Sequence, residues 1–341
     1  MTARRSRLRS FLDFRASAAL SERIAGLEDD LEEIRRGRAT AEAVEAQPTS
    51  AAALAQDIER LARADARWRS RLLDHVRGLA PYAAVNIEGT LYFFETRDPT
   101  GAEMFTKPQA RLEHIHLRRA LRLLDEAGIP ARRDTFVDVG AHIGTTSLFA
   151  IRHARFSHVV AIEPSWANVR TLRLSVLANG LDDAVTIVQA AVSDSVGAAN
   201  LSVSGLGSEY HHLVGSDGAA GVTERVETTT LDKLVGDGTI DPERASLVWL
   251  DIEGDEGRAL SAASLVLDRA IPLVAEMCGE KIARTGGLAP LQAAVGESYT
   301  HFADLRRAPA EGFRPLVELP SIAEVYERRC TDVLIARLPN P

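Results

Sequence analysis

The chain has 341 residues, 45% of them hydrophobic, and a formal net charge of −8. That length supports a full core in one large domain plus an appendage, and the acidic balance argues against nucleic acid as a partner, because polyanion binders concentrate basic residues on one face. No apolar run reaches bilayer length, and Asp13 and Arg15 interrupt the stretch after the opening Arg4, Arg5, Arg7 and Arg9, so no transmembrane segment is expected and the expected setting is the cytoplasm.

Residues 1–79 read as helical. Leu20, Ile24, Leu27, Leu31 and Ile34 alternate by four and three, which is the seam of a coiled coil. After a break at Gln47, Pro48, Thr49 and Ser50 the pattern returns with Leu54, Ile58, Leu61, Trp68 and Leu72, weakened by Asp65 at a seam position. Seams this short are marginal alone, so the expectation is a homodimer through these helices, with an intramolecular helical hairpin as the alternative.

Residues 80–134 read as an extension of the catalytic domain. It is strand-like from Tyr82 to Glu95 ("YAAVNIEGTLYFFE") and helical from Leu112 to Leu124. His114 and His116 stand two apart on that helix, where they do not face each other, so they are read as surface or packing residues.

Residues 135–341 alternate strand and helix. Strands are expected at Thr135–Val139, His158–Glu163, Ala184–Gln189, Leu247–Asp251 and Leu273–Met277, with two more at Tyr299–Leu305 and Asp332–Ala336. Helices are expected at Thr145–His153, Trp166–Leu177 and Glu256–Val266. Such alternation gives a parallel sheet covered on both faces, and the final pair, lacking an evident crossover helix, suggests an antiparallel edge hairpin.

In "FVDVGAHIGTTSL" a strand runs into a glycine turn and a helix, which leaves backbone N–H groups and a helix N-terminus beside a crevice. Asp138 precedes the turn, Gly140 and Gly144 permit close backbone approach, and Glu163 ends the second strand, where an acid receives ribose hydroxyls. The third glycine of a dinucleotide loop is missing. An acid beside the turn repels phosphates but suits an ammonium, as in the amino-acid end of S-adenosylmethionine.

Here the chain resembles a known family. "FVDVGAHIGTTSL", "VVAIEPSWANVRTLRLSVLANG", "VQAAVSD", "TTTLDKL", "LVWLDIEGDEGRAL" and "PLVAEM" are similar, in order, to the blocks of the FkbM-type methyltransferases, a branch of the class I S-adenosylmethionine-dependent enzymes. The resemblance spans about Thr135 to Met277. It implies an α/β fold with a Rossmann-like, mostly parallel seven-stranded sheet and helices on both faces; the α-helical coiled-coil segment in front lies outside the resemblance. It also implies that Asp138, Gly140 and Gly144 hold the methionine end, Glu163 the ribose, and the backbone near Ala191 the adenine. His142 stands where such loops usually carry Asn, and Asp251 is counted with the cofactor-binding set. Trp249 is larger than the family pattern suggests for the fourth strand.

Methyl transfer from a sulfonium is an in-line displacement that needs alignment and removal of the acceptor proton. In "LDIEGDE", Asp251 ends the fourth strand and Glu253 follows it. With Glu276 at the end of the fifth strand they form a possible carboxylate cluster, able to act as a base or to hold a divalent metal such as magnesium. The plainer reading is an acid at a helix start or in a surface pair. His211, beside His212 in the glycine-rich "GLGSEYHHLVGSDGAAG", is the alternative base on an expected mobile loop. The expected activity is O-methylation of a small-molecule or glycan hydroxyl in a sugar, glycolipid or secondary metabolite. The alternatives are an inactive methyltransferase-like scaffold and a nicotinamide-dependent oxidoreductase. Cys278 and Cys330, far apart in sequence, are read as free thiols, and the scarcity of lysine (Lys107, Lys233 and Lys281 alone) as coding bias.

Overall fold

The computed structural model describes residues 65–107, 112–129, 133–203, 207–208, 211–214, 222–285, 288–307, 311–326 and 329–339. The seam from Leu20 to Leu61 lies outside the described residues, and with it the expected coiled coil. The chain divides into two compact units, Met1–Pro81 with Ala102–Lys107, and Tyr82–Gly101 with Pro108–Pro341. In the first unit residues 65–77 are helical, and Arg69 joins Asp65 at 2.9 Å while its guanidinium lies 5.7 Å from the Phe105 ring centre. No helix among the described residues is long and apolar enough to cross a membrane.

The second unit is built on an eight-stranded sheet. Its strands are β3 (Thr135–Val139), β4 (His158–Ile162), β5 (Val185–Val188), β10 (Ala245–Leu250), β11 (Leu273–Met277), β12 (His301–Asp304), β13 (Arg314–Pro315) and β14 (Thr331–Ala336). Their order is β13-β12-β14-β11-β10-β3-β4-β5. β5, β4, β3, β10 and β11 run parallel, and the chain returns to the middle of the sheet between β3 and β10. β3 is buried at every position and β10 over its last four, as continuous apolar strands of a doubly covered sheet should be. Trp249 is accommodated in that core, 1% exposed and 6.4 Å from Phe136 centre to centre.

The C-terminal strands β12 and β14 form the expected antiparallel pair, but only β12 lies near the edge. β14 is antiparallel to both β11 and β12 and lies between them, so it is an interior strand, and β12 with the short β13 forms the edge. All six residues of β14 are buried, which an edge position would not require. The helix expected over Glu256–Val266 is two, Glu256–Leu260 and Ser264–Leu267. Asp232 causes the restart, because its carboxylate receives Ser264 Oγ and Leu265 N, each at 2.8 Å.

Two smaller sheets complete the unit, and the second of them lines the cavity described below. β1 (Tyr82–Ile87) and β2 (Thr90–Glu95) form a hairpin through Glu88 and Gly89, both left-handed. Its second strand is sealed by the helix Trp166–Ala178 and the residue after it: Phe93 N donates to Ser175 Oγ (2.9 Å), and Leu91 exchanges two hydrogen bonds with the Asn179 side chain. The third sheet joins β6 (Ala191–Val192), β9 (Thr223–Thr229), β7 (Gly197–Ser202) and β8 (His212–Val214) in that order. It places His212 on a strand paired with Ser202, where a loop was expected. Tyr210 and most of that glycine-rich segment lie outside the described residues.

Candidate active site

The carboxyl ends of β3, β4 and β10 open onto a cavity, at the reversal of strand order where sheets of this kind take ligands. Gly140, His142, Glu163, Ala191, His211, Asp251 and Glu253 line it; Asp138, Gly144 and Glu276 do not.

The glycine turn forms the floor. Gly140 has φ +88°, and its N–H and that of Ala141 both donate to Ile162 O, at 2.9 and 3.0 Å. A Cβ at Gly140 would collide with the backbone carbonyl of Asp251, so only glycine lets the ends of β3 and β10 approach this closely. Asp138 is turned away from the cavity. It is 1% exposed, accepts Ser147 Oγ at 2.5 Å, and burial raises its carboxyl to about 7. Gly144, also left-handed, opens the helix Thr145–Arg152 against Leu172.

Glu163 is held by three donors: His142 N at 2.9 Å on one oxygen, and Ser165 N at 2.9 Å with Asn168 Nδ2 at 3.1 Å on the other. Burial nevertheless outweighs those bonds and raises its carboxyl to about 7. The His142 ring reaches Ser208 Oγ at 2.6 Å, and Ser208 Oγ lies 2.8 Å from Asp98 Oδ2. The serine hydroxyl donates to Asp98, so it must itself accept from His142 Nε2–H. That chain, completed by Ser208 N donating to Asp98 at 3.0 Å, fixes the tautomer of a residue in the motif loop through two residues that the sequence did not single out.

On the opposite wall, Asp251 follows β10, its N–H still donating to Val139 O at 3.0 Å. Glu253 comes next but one in left-handed backbone, φ +62°. Glu256 pins this bend by accepting from Ile252 N (3.0 Å) and Gly254 N (3.3 Å). Burial, then Glu276, push the Asp251 carboxyl well above the carboxylate range, while Lys281 opposes them. Burial raises Glu253 to about 7. Glu276 lies behind the wall, with both oxygens on the Lys281 ammonium. His211 has its pKa lowered by burial, and its Nδ1 is buried with no hydrogen-bond partner.

Residues read as inert are placed as follows. His114 and His116 are fully buried in packing; His114 stacks on Phe149 at 4.1 Å, and His116 Nδ1 is 2.6 Å from Asp332 Oδ2. Cys278 and Cys330 are free and stand beside each other where β11 meets β14, just past the paired Met277 and Thr331, an adjacency that the sequence gap of some fifty residues hid; burial pushes the Cys330 thiol up.

Glu256 yields a pH prediction. Burial and then Glu276 raise its carboxyl to about 8, against an ordinary value of 4.5. The native state thus keeps a proton that the unfolded chain releases, so the stability tied to this group is complete below about 4.5 and is lost progressively up to about 8. Glu256→Gln keeps the acceptor oxygen and removes the buried charge. By calorimetric melting its Tm should exceed that of the parent by about 2–4 °C at pH 8.5 and by much less at pH 5.

The family model described as the Methyltransferase FkbM domain matches residues 138–313. No curated protein matches the chain. Among solved structures, a methyltransferase FkbM from Methylobacillus flagellatus is 17% identical with a TM-score of 0.40; the likeness covers 69% of this chain and 52% of that one, so it spans about half of that protein's length. TYW2 of M. jannaschii in complex with AdoMet is 13% identical, TM-score 0.38, covering 75% of this chain and 87% of that one. A putative O-methyltransferase from Klebsiella pneumoniae is 9% identical, TM-score 0.35, covering 67% and 88%. The family match takes in more than half of the chain and runs from Asp138 past both walls of the cavity to β12: the chain belongs to the FkbM methyltransferase family of class I S-adenosylmethionine-dependent enzymes.

Proposed function

We propose that the cavity binds S-adenosylmethionine and that the protein O-methylates a hydroxyl of a sugar, glycolipid or secondary metabolite, with Asp251 as the base. The observation that carries this reading is the facing pair Glu163 and Asp251 on opposite walls of one cavity, with Gly140 as its floor. Glu163, anchored by three donors, is available to ribose hydroxyls. When bound, the cofactor supplies an electrophilic methyl on a sulfonium. Asp251 then accepts the proton of the incoming hydroxyl, and its raised pKa makes it a stronger base than an ordinary carboxylate. A second reading gives the proton to His211, since that imidazole is held neutral and has an unpartnered nitrogen.

The test is transfer of labelled methyl from S-adenosylmethionine to pools of hydroxylated glycans, glycolipids and polyketides, with the product located by mass spectrometry. Label on oxygen is the expected result. Label on nitrogen or carbon would replace O-methylation by another methyl transfer.

A further inference from the structure

Asp251, Glu253 and Glu276 each bring a carboxylate oxygen within 4.8 Å of the others. Three such oxygens at neighbouring strand ends are donors that suit a hard divalent cation. Two of them are already taken up by the protein itself. Lys281, on the helix Gly279–Arg284 that follows β11, places Nζ 2.8 Å from Glu253 Oε1 and 2.9 and 2.8 Å from the two oxygens of Glu276. These contacts account for the ammonium's three protons.

The lysine is fixed there. Its side chain is 16% exposed, and the side chains of Glu253 and Glu276 are 9% and 12% exposed. The helix that carries it is tied to the same bend, through Arg284 donating to Glu253 O (3.1 Å) and Thr285 Oγ1 to Gly254 O (2.5 Å). Burial works against the charge on Lys281, but Glu276, Glu253 and Asp251 outweigh it and hold its proton on, so the group is a permanent cation and not a base. One of only three lysines in the chain thus lies where the carboxylates converge, which coding bias does not explain.

We propose that the Lys281 ammonium is the resident cation of this site, holding Glu253 and Glu276 beside Asp251 in the place a divalent metal would take. Lys281 is then a positioning residue, and methyl transfer needs no added metal; that last step alone rests on the methyltransferase reading above.

The test is titration with Mn2+ followed by electron paramagnetic resonance. The parent protein should bind no stoichiometric Mn2+ at millimolar concentrations. Lys281→Met, which leaves three carboxylates uncompensated, should bind one equivalent, and Lys281→Met with Glu276→Gln should lose it. Lys281→Arg keeps the charge and should bind none. One equivalent bound by the parent and abolished by Glu276→Gln would overturn the proposal, as would a folded Lys281→Met protein that binds no Mn2+. If Lys281→Met fails to fold, the parent and Lys281→Gln decide, the latter by the same one-equivalent criterion. S-adenosylmethionine titrated into the same parent sample separates the two claims: no binding there removes the proposed function and leaves the Mn2+ result standing.

Discussion

Asp251→Asn is expected to slow methyl transfer by about 10²–10⁴-fold, the usual contribution of a positioned acid–base group, with cofactor affinity changed little. The substitution is nearly isosteric, and the backbone bond from residue 251 to Val139 O does not depend on the side chain. What is lost is the site for the acceptor proton. The pH profile supplies an independent readout. Burial and Glu276 raise the Asp251 carboxyl, so the ionised fraction in the parent grows with pH and the rate should climb on an acid limb. That limb should vanish in the variant. The comparison is His211→Ala, which should retain most of the rate. If His211→Ala were the crippled enzyme and Asp251→Asn turned over normally, the proton would go to the histidine.

The second large effect is at Gly140. Gly140→Ala puts a Cβ into the Asp251 carbonyl, and neither partner can withdraw: residue 140 is bonded through its N–H to Ile162 O, and residue 251 through its N–H to Val139 O. The left-handed backbone alone costs about 1–2 kcal/mol for a residue with a Cβ, and the collision adds to it by forcing β3 and β10 apart at the site. Gly128→Ala separates the two terms, because φ there is +70° but a Cβ would meet nothing within 4 Å. Calorimetry should show a Tm loss of a few degrees for Gly128→Ala and at least twice that for Gly140→Ala. The latter should also lose measurable S-adenosylmethionine binding. Equal losses in the two variants would mean that the close approach of the strand ends is not what the glycine serves.

Much of the site was legible in the sequence because it sits on strand ends that follow one another along the chain. An apolar run closed by Asp138 and Gly140, another closed by Glu163, and a third closed by Asp251 mark the parallel strands and their carboxyl ends together, and the structure brings the last three to one cavity. Asp138 shows the limit of that reading. Alternation along a strand decides which face a side chain takes, and this one faces Ser147 inside the fold. What escaped notice depends on pairings between distant segments. Lys281 is a plain surface lysine until the helix after β11 packs on the bend after β10, and Ser208 matters only when Asp98 and His142 converge on it. The sheet of β6 to β9 carries short strands such as "GAANLS", whose glycine and alanines give no strand signal, so its register comes from partners and not from local preference. The same holds for β14, whose neighbours on both sides are chosen by the sheet.

The most direct measurement is titration calorimetry of the whole chain with S-adenosylmethionine and, separately, with NADH, repeated on Glu163→Ala after circular dichroism has shown that the variant is folded. One S-adenosylmethionine per chain at micromolar affinity, no heat with NADH, and a loss of about 10²-fold in the variant are expected, the last from the charged hydrogen bonds to the ribose that Glu163 would make. Unchanged affinity in the folded variant, or binding of NADH in place of S-adenosylmethionine, would contradict the assignment of this cavity.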